Sequence, residues 1–480
     1  MNAPSWRTRF DLSAPLPTAA ELGRVHLLAV GGAGMSAVAR LLIGAGVPTS
    51  GSDAKDSETL EALAASGVQV WVGHAAHHVA GVDTVVVSSA IRDDNVELVA
   101  ARAAGCRILH RSQALAALMA GRRGVAVAGA NGKTTTTSML AETLRAAGAD
   151  PSYAIGGDLV STGTNAAWGS GEAFVVEADE SDGSFLVYHP SVAIVTNVQP
   201  DHLDFYGTFE AVQDAYAAFV GTITSGGLLV TCADDPGAIR LAARSRAAGG
   251  RVVTYGSAPH ADLRIADIEL SGLHGRARLV GADGAHGLEV PAPGRHNIDN
   301  AAAAYLAATA GLGLAPEAAL AGLATYRGAL RRFEAKGQAG GVRVVDDYAH
   351  NPGKVAAVVT TAARLAPPGR LIVCFQPHLY SRTRDFADEF GRALAPADVT
   401  LVMDVYAARE DPMPGVSGQL VVDAVRRADP RAEVHFEPVD DAVAPRLATL
   451  ARPGDLLLTV GAGDVTQVGP VVLTLLGERA

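Results

Sequence analysis

A chain of 480 residues is long enough for about three domains of ordinary size. Its 39 Lys and Arg against 50 Asp and Glu leave a formal net charge of −11, and no run of basic residues forms a stripe, so no nucleic-acid partner is expected. Hydrophobic residues at 49% and charged ones at 19% exclude a disordered chain, and aromatics at only 5% mean that Ala, Val and Leu must fill the cores.

The opening MNAPSWRTRFDLSAPLP lacks the apolar run of a signal peptide, and no segment is apolar for long enough to cross a bilayer, so a cytoplasmic chain without membrane insertion is expected. Cys106, Cys232 and Cys374 lie far apart with no CxxC pair and read as small core residues in a reducing compartment. Only four of the 39 basic residues are lysine: Lys55, Lys133, Lys336 and Lys354. A lysine at a chemically meaningful place therefore stands out, because the two cations are not interchangeable.

In chain order, VHLLAV is an apolar strand followed by a glycine turn and a helical pattern, and VDTVVVSS and CRILH continue a βαβ series that ends near Ala120. The short polar AGRRG then separates a first domain, residues 1–122, from a second at 123–331. This second domain opens with VAVAG, continues through AFVVEAD, VAIVTNV and GGLLVTC, carries an alternating stretch from about Ala261 to Val290 that reads as a small antiparallel addition, and ends in the helix HNIDNAAAAYLAATAGL. After the basic, hinge-like RGALRRFE, strands at VRVVDDY, RLIVCF, DVTLVMDV, AEVHFE and DLLLTVGAG alternate with helices, giving a third domain at 332–480. The fold class is α/β: a Rossmann-like N-terminal domain, a central P-loop ATPase domain with the antiparallel addition, and a Rossmann-like C-terminal domain.

Two glycine-rich turns carry the first chemistry. Gly32-Ala33-Gly34-Met35-Ser36-Ala37 fits the loose GxGxxG/A pattern after a strand, with Asp53 nineteen residues beyond Gly34. Its glycines would let backbone approach a diphosphate, the helix N-terminus would offset the charge, and the acid would accept from a ribose hydroxyl. A tight strand–helix turn is the bland alternative. Gly129-Ala130-Asn131-Gly132-Lys133-Thr134 is the shorter GxxGKT phosphate loop, with one of the four lysines at the phosphate position and the Thr134 hydroxyl available to Mg²⁺.

Such a loop needs a carboxylate from a neighbouring strand. AFVVEADESDGSF supplies Glu177, Asp179, Glu180 and Asp182, four acids that would repel one another unless a cation lay among them. The next strand ends in Asp201, His202 and Asp204, of which His202 is the candidate ligand. By contrast, His74, His77 and His78 in GHAAHHV have no carboxylate nearby in sequence and read as surface residues.

The motifs GGAGMSAVA, GANGKTTTT, EADESDGSF, DHLDFYG, GRHNIDNAAAA, RRFE, DDYAHNP and FQPHLYSRTRDF together resemble the Mur ligases of bacterial peptidoglycan synthesis, over essentially the whole chain. The GGAGMS turn points to the alanine-adding branch. The resemblance implies ATP-dependent ligation of L-alanine to the lactyl carboxylate of UDP-N-acetylmuramic acid through an acyl phosphate, with a UDP-sugar domain, an ATPase domain and an amino-acid domain. It implies that the first glycine turn holds the UDP diphosphate with Ser88 and Ser89 as further contacts. Lys133 would neutralise the γ-phosphate, Thr134 and Glu177 would hold a first Mg²⁺, and His202 a second.

The resemblance extends the ATP site to Gly129, Asn131, Gly132, Thr135, the adenine-contacting His296, Asn297 and Asn300, Arg332, and the ribose-binding Asp347. His350 and Arg382 match residues that face the acyl phosphate and the incoming carboxylate, for which a guanidinium fork is suited. Some sites depart from the pattern. Ala130-Asn131 stand for Thr-His, DDYAHNPGK stands for DDYxHHPTE, Leu379 occupies a frequent arginine position, and Tyr216 lies where several Mur ligases carbamylate a lysine.

Three other readings compete. An NAD-dependent dehydrogenase would leave GANGKT and EADESD without work, and a non-catalytic nucleotide-binding regulator would not need Lys133, Thr134, Glu177 and His202. A ligase that reattaches a recycled tripeptide to the same sugar would share nearly every motif.

Overall fold

The computed structural model describes residues 14–408 and 410–478, without the side chain of Asp204. Most of the N-terminal stretch inspected for a targeting signal, and the Asp204 carboxylate, therefore lie outside the described residues. Three β-sheets organise the α/β chain.

The first sheet is wholly parallel, in the spatial order Gln69–Val72, Thr49–Asp53, Val25–Leu28, Thr84–Val87, Arg107–His110. Val25–Leu28 and Thr84–Val87 are buried at every position, as central strands covered on both faces must be, and so they read as unbroken apolar runs. Thr49–Asp53 (TSGSD) and the half-exposed edge Gln69–Val72 carry no such signal. The strand order reverses at Val25–Leu28, which puts a crevice at the carboxyl ends of Val25–Leu28 and Thr84–Val87.

The second sheet has ten strands. At its centre Arg123–Ala128 lies between Ala173–Glu177 and Val192–Val195, parallel to both. The two strands that end in acids thus flank the one that ends in the phosphate loop. Leu263–Ser271, His274–Gly281 and Gly284–Val290 form the antiparallel addition, and the hairpin Ser152–Leu159 with Thr164–Ala167 closes the opposite edge. The helix Arg295–Leu306 supports this sheet with Ala301, Ala302, Ala303 and Ala304, none of them exposed. Such small side chains let helix and strands approach closely, which is how a core poor in aromatics is filled.

The first two sheets do not belong to separate compact bodies. Residues 1–328 form one unit and residues 329–480 another. Within the first, Leu41 and Leu42 of the helix Ala33–Gly44 share a core with Ala166, Phe174 and Val176 of the second sheet. A Cβ on Gly44 would come 2.4 Å from that of Trp168. The AGRRG segment is correspondingly no free linker: the Arg122 guanidinium lies 4.1 Å from the centre of the Trp168 ring and donates to the carbonyls of Gly169 and Gly171. The split after Gly328 precedes the boundary after residue 331 drawn from sequence.

In the second unit, Val342–Asp347, Leu456–Val460, Leu371–Phe375, Val399–Met403 and Glu433–Glu437 form a parallel sheet. Glu334–Ala339 adds an antiparallel edge. Its sequence EAKGQA has no apolar face, so pattern reading passes over it. Among the described residues no helix is long and apolar enough to cross a membrane.

Candidate functional site

The phosphate loop follows a strand buried from Gly124 onward. Gly129 has φ 135° and Gly132 φ 88°, both in the region that favours glycine. A Cβ would also lie 2.0 Å from Thr196 Oγ1 at the first position and 2.5 Å from Asn300 Oδ1 at the second. The loop is braced by the strand beside it. Asn131 donates its amide to Asn197 Oδ1 at 2.9 Å, and its carbonyl accepts from Thr196 Oγ1 at 2.6 Å and Asn197 Nδ2 at 2.9 Å. Thr196 and Asn197 escaped the sequence reading because nothing in VTNV marks them as more than a strand end.

Lys133 opens the helix Lys133–Ala146 and folds back over the loop, donating to the Gly129 carbonyl at 2.7 Å and to Glu180 Oε1 at 2.8 Å. Burial opposes the ammonium charge, but the carboxylates of Glu180, Asp179 and Glu177 outweigh it and hold Lys133 above the ordinary lysine value. Thr134 donates to Glu177 Oε1 at 3.0 Å, and Glu177 Oε2 accepts from the Gly156 amide at 2.8 Å. Thr135 is half-buried on the same first turn.

The four acids of EADESD face two ways, and this relieves their repulsion. Glu177 and Glu180 turn to Thr134 and Lys133. Asp179 and Asp182 turn to the first sheet, where Asp179 Oδ2 takes Arg111 Nη2 at 2.6 Å and Asp182 takes the Ser89 hydroxyl, with His110 Nε2 3.4 Å away. Burial would raise Asp179, yet Arg111, Lys133 and His202 hold its carboxyl well below the usual range. Arg111 and Lys133 thus place positive charge among the acids.

His202 has φ 52°, and its Nε2 lies 3.8 Å from Glu180 Oε1 and 3.9 Å from Asp201 Oδ1. Among the described residues no three His, Cys, Asp or Glu side chains are grouped to hold a metal. The donors nevertheless fit Mg²⁺. Thr134 and Glu177 offer hard oxygens, Glu180 Oε2 is buried with no hydrogen-bond partner among the described residues, and Mg²⁺ commonly takes only one or two protein oxygens beside substrate phosphates and water.

At the other glycine turn the helix Ala33–Gly44 starts after Gly32. Asp53 Oδ2 accepts from the Gly31 amide at 2.9 Å, so the carboxylate braces the turn itself. Met35 and Ser36 are buried, with the Ser36 hydroxyl donating to the Ala33 carbonyl at 3.1 Å, so beyond Gly34 the turn can offer a ligand only backbone. Ser88 is half-buried and Ser89 exposed at the end of Thr84–Val87.

Of the neighbouring histidines expected at the surface, His77 is exposed, but His74 and His78 are not free surface residues. His74 Nδ1 lies 2.9 Å and His78 Nδ1 2.5 Å from the wholly buried Glu97, and His78 is itself buried and stacked on Trp71 at 4.5 Å. The carboxylate they lacked nearby in sequence arrives from a helix about twenty residues on, Val96–Ala103.

Asn297 and Asn300, both buried, form a chain: Asn297 donates to the Pro293 carbonyl at 2.7 Å, Asn300 to Asn297 Oδ1 at 3.3 Å, and Thr136 to Asn300 Oδ1 at 3.2 Å. They tie the helix Arg295–Leu306 to the phosphate loop, while His296 is exposed at its start.

In the second unit, Asp347 is buried at the end of Val342–Asp347 and accepts from the Phe333 and Ala349 amides, both at 2.8 Å. Burial pushes its carboxyl up against the pull of Arg332. Arg331 and Arg332 lie 4.9 and 5.3 Å from the centre of the Tyr348 ring. His350 Nδ1 donates to the Tyr348 carbonyl at 3.0 Å, which leaves Nε2 as the acceptor of a neutral ring. Burial, then Lys354 and Arg382, hold the imidazole well below its ordinary value. This gives Lys354 a place beside the site that its sequence did not suggest. Arg382 Nη1 lies 3.2 Å from His378 Nδ1, and Leu379 is buried with φ 70°.

A phosphate loop, an adjacent acidic strand end and a second glycine turn on a Rossmann-like sheet define a nucleotide-using ligase architecture. Models of the Mur ligase catalytic domain, the Mur ligase middle domain and the Mur ligase glutamate ligase domain match residues 24–123, 127–308 and 331–463, and the chain belongs to the Mur ligase family.

It is 57% identical over 463 residues to the UDP-N-acetylmuramate–L-alanine ligase of Kineococcus radiotolerans, covering 96% of this chain and 98% of that one. It is 52% identical to the enzyme of the same name from Cutibacterium acnes, over 96% and 97% of the two chains. The crystal structure of UDP-N-acetylmuramate–alanine ligase from Thermotoga maritima superposes with a TM-score of 0.80 at 28% identity, over 95% of this chain and all of that one. A murein peptide ligase from Psychrobacter arcticus gives 0.71 at 25%, over 95% and 99%.

Proposed function

We propose that the chain joins L-alanine to the lactyl carboxylate of UDP-N-acetylmuramic acid at the expense of ATP, in the cytoplasmic synthesis of peptidoglycan precursor. The observation that carries this is the Lys133 ammonium held over the Gly129–Gly132 loop, with Thr134 on Glu177 beside it, in a chain whose relatives at 50–57% identity bear that name.

The lactyl carboxylate attacks the γ-phosphorus, an acyl phosphate and ADP form, and the alanine amine then displaces phosphate. Two anions must meet in the first step. Lys133 places a localised positive charge there, the loop amides cradle the phosphates, and the Thr196–Asn197 brace keeps those amides fixed, so catalysis rests on positioning and electrostatic stabilisation. Thr134 and Glu177 would hold a Mg²⁺ ion and His202 a second; the ions would supply charge neutralisation on the phosphate oxygens. No protein nucleophile is required. In the second unit, Arg382 would take the amino-acid carboxylate and His350 would face the acyl phosphate.

Phosphate release from ATP with UDP-N-acetylmuramic acid, measured in parallel with L-Ala, L-Ser, Gly and the L-Ala–γ-D-Glu–diaminopimelate tripeptide, tests the reading. L-Ala should be the preferred acceptor. Release with the tripeptide alone would replace this function by peptide recycling.

A further inference from the structure

Arg111 lies outside every motif that marks the substrate sites in the sequence. It opens the helix Arg111–Met119, directly after the last strand of the first sheet, and its guanidinium reaches two places at once. Nη2 lies 2.6 Å from Asp179 Oδ2, and Nη1 lies where a Cβ on Gly34 would meet it at 2.6 Å. Gly34 has no positive φ, so the backbone does not require glycine there. What a side chain there would meet is the movable tip of Arg111.

A cation is thus seated directly against the glycine turn. The Arg111 side chain is 27% exposed and that of Asp179 39%, so the pair lies at a wall open to a ligand and not in the core. The first turn of the helix Ala33–Gly44 carries no charged side chain, and Asp53, with its carboxylate on Gly31, adds negative charge. A diphosphate at this turn needs a cation beyond the loop amides, and a guanidinium presents a planar fork that matches two phosphate oxygens.

We propose that Arg111 binds the diphosphate of the sugar nucleotide, and that Asp179 is the positioning residue that holds its fork beside Gly34. This rests on the sugar-nucleotide substrate of the proposed function and on the first glycine turn as the place that holds its diphosphate. Asp179 belongs to the acidic run that also places Glu180 on Lys133, so the same loop orients a cation in each of the two substrate sites.

The test is calorimetric binding of UDP-N-acetylmuramic acid, UDP and uridine to the full chain and to Arg111→Ala, Arg111→Lys and Asp179→Asn, with steady-state kinetics. Arg111→Ala should weaken both diphosphate ligands about tenfold or more, leave uridine unchanged, and raise KM for the sugar nucleotide far more than it lowers kcat. Arg111→Lys should recover part of the loss, and Asp179→Asn should fall between. If the wild type binds the sugar nucleotide and Arg111→Ala binds it equally, or loses UDP and uridine alike, the inference is overturned and the pair is only a bridge between the sheets. If the wild type binds none of the diphosphate ligands, the reading of the turn has failed.

Discussion

Lys133 Nζ lies 2.8 Å from Glu180 Oε1, while the other oxygen of that carboxylate is buried without a hydrogen-bond partner among the described residues. The lysine expected to serve the γ-phosphate is therefore also the counter-ion of a buried acid. Removing one member of such a pair leaves an uncompensated charge, at about 3–5 kcal/mol. Lys133→Ala should thus lose turnover by about a hundredfold or more and lower the melting temperature as well. The sequence alone suggests only the first effect. Lys133→Ala combined with Glu180→Gln should recover most of the melting temperature and none of the turnover. Thermal denaturation beside phosphate release checks both, and a singly substituted protein that melts like the wild type would show the pair to be unimportant for stability.

Gly132 holds φ 88° with Asn300 Oδ1 in the place of a Cβ. Gly132→Ala must therefore strain the backbone by roughly 1–2 kcal/mol and push Asn300 off Thr136. The expected result is weaker ATP binding, read as a raised KM for ATP, together with a lower melting temperature. Asn300→Ala alone would open the space and should partly relieve Gly132→Ala, which a double-mutant cycle measures.

The α/β class, the three sheets and both glycine turns were legible because buried parallel strands are continuous apolar runs and turns of this kind demand glycine. The strand Glu334–Ala339 was not, since its residues are polar and only its pairing with the next strand orders it, nor was Thr49–Asp53, whose residues are polar and whose partner Val25–Leu28 lies distant in sequence. For the same reason the acids of EADESD could be recognised but not their directions. The side chains that separate them, Arg111 and Lys133, lie 68 and 47 residues away. Of the histidines of GHAAHHV, His77 is exposed as its sequence suggests, whereas the partner of His74 and His78 is brought in by a helix and not by spacing.

Tyr216 stands where several family members carry a modified lysine. Its hydroxyl is buried with no hydrogen-bond partner among the described residues, and its ring packs edge-on against Phe185 at 5.7 Å. Burial, with Glu180 nearby, pushes the phenol well above its ordinary value, so it stays neutral. An unsatisfied buried hydroxyl costs about 1–3 kcal/mol. Tyr216→Phe should therefore raise stability by about 1 kcal/mol and keep turnover, with no response to added bicarbonate. Denaturant titration and the phosphate assay check it, and a large loss of turnover would mean the hydroxyl serves the reaction directly.

Glu97 is fully buried in the first sheet's domain, with Ser52, His74 and His78 on its two oxygens and His26 Nε2 3.7 Å away. Burial alone would raise its carboxyl, but His26, Ser52, His78 and His74 together hold it far below the usual carboxylate range. A folded-state value depressed in this way contributes stability that is fully present above the unfolded-state value, about 4.3, and that is lost as pH falls from there toward the folded value. Glu97→Gln should accordingly cost about 1.5–3 kcal/mol at pH 7, where it replaces the ionised acceptor shared by Ser52, His74 and His78 with an amide. The difference from wild type should shrink steadily below about pH 4.3. Urea denaturation from pH 7 to pH 3 measures both limbs, with the fluorescence of Trp71, stacked on His78, as a local probe. A gap between the two proteins that widens as the pH falls would reverse the sign and show that the carboxyl is not held ionised by its neighbours.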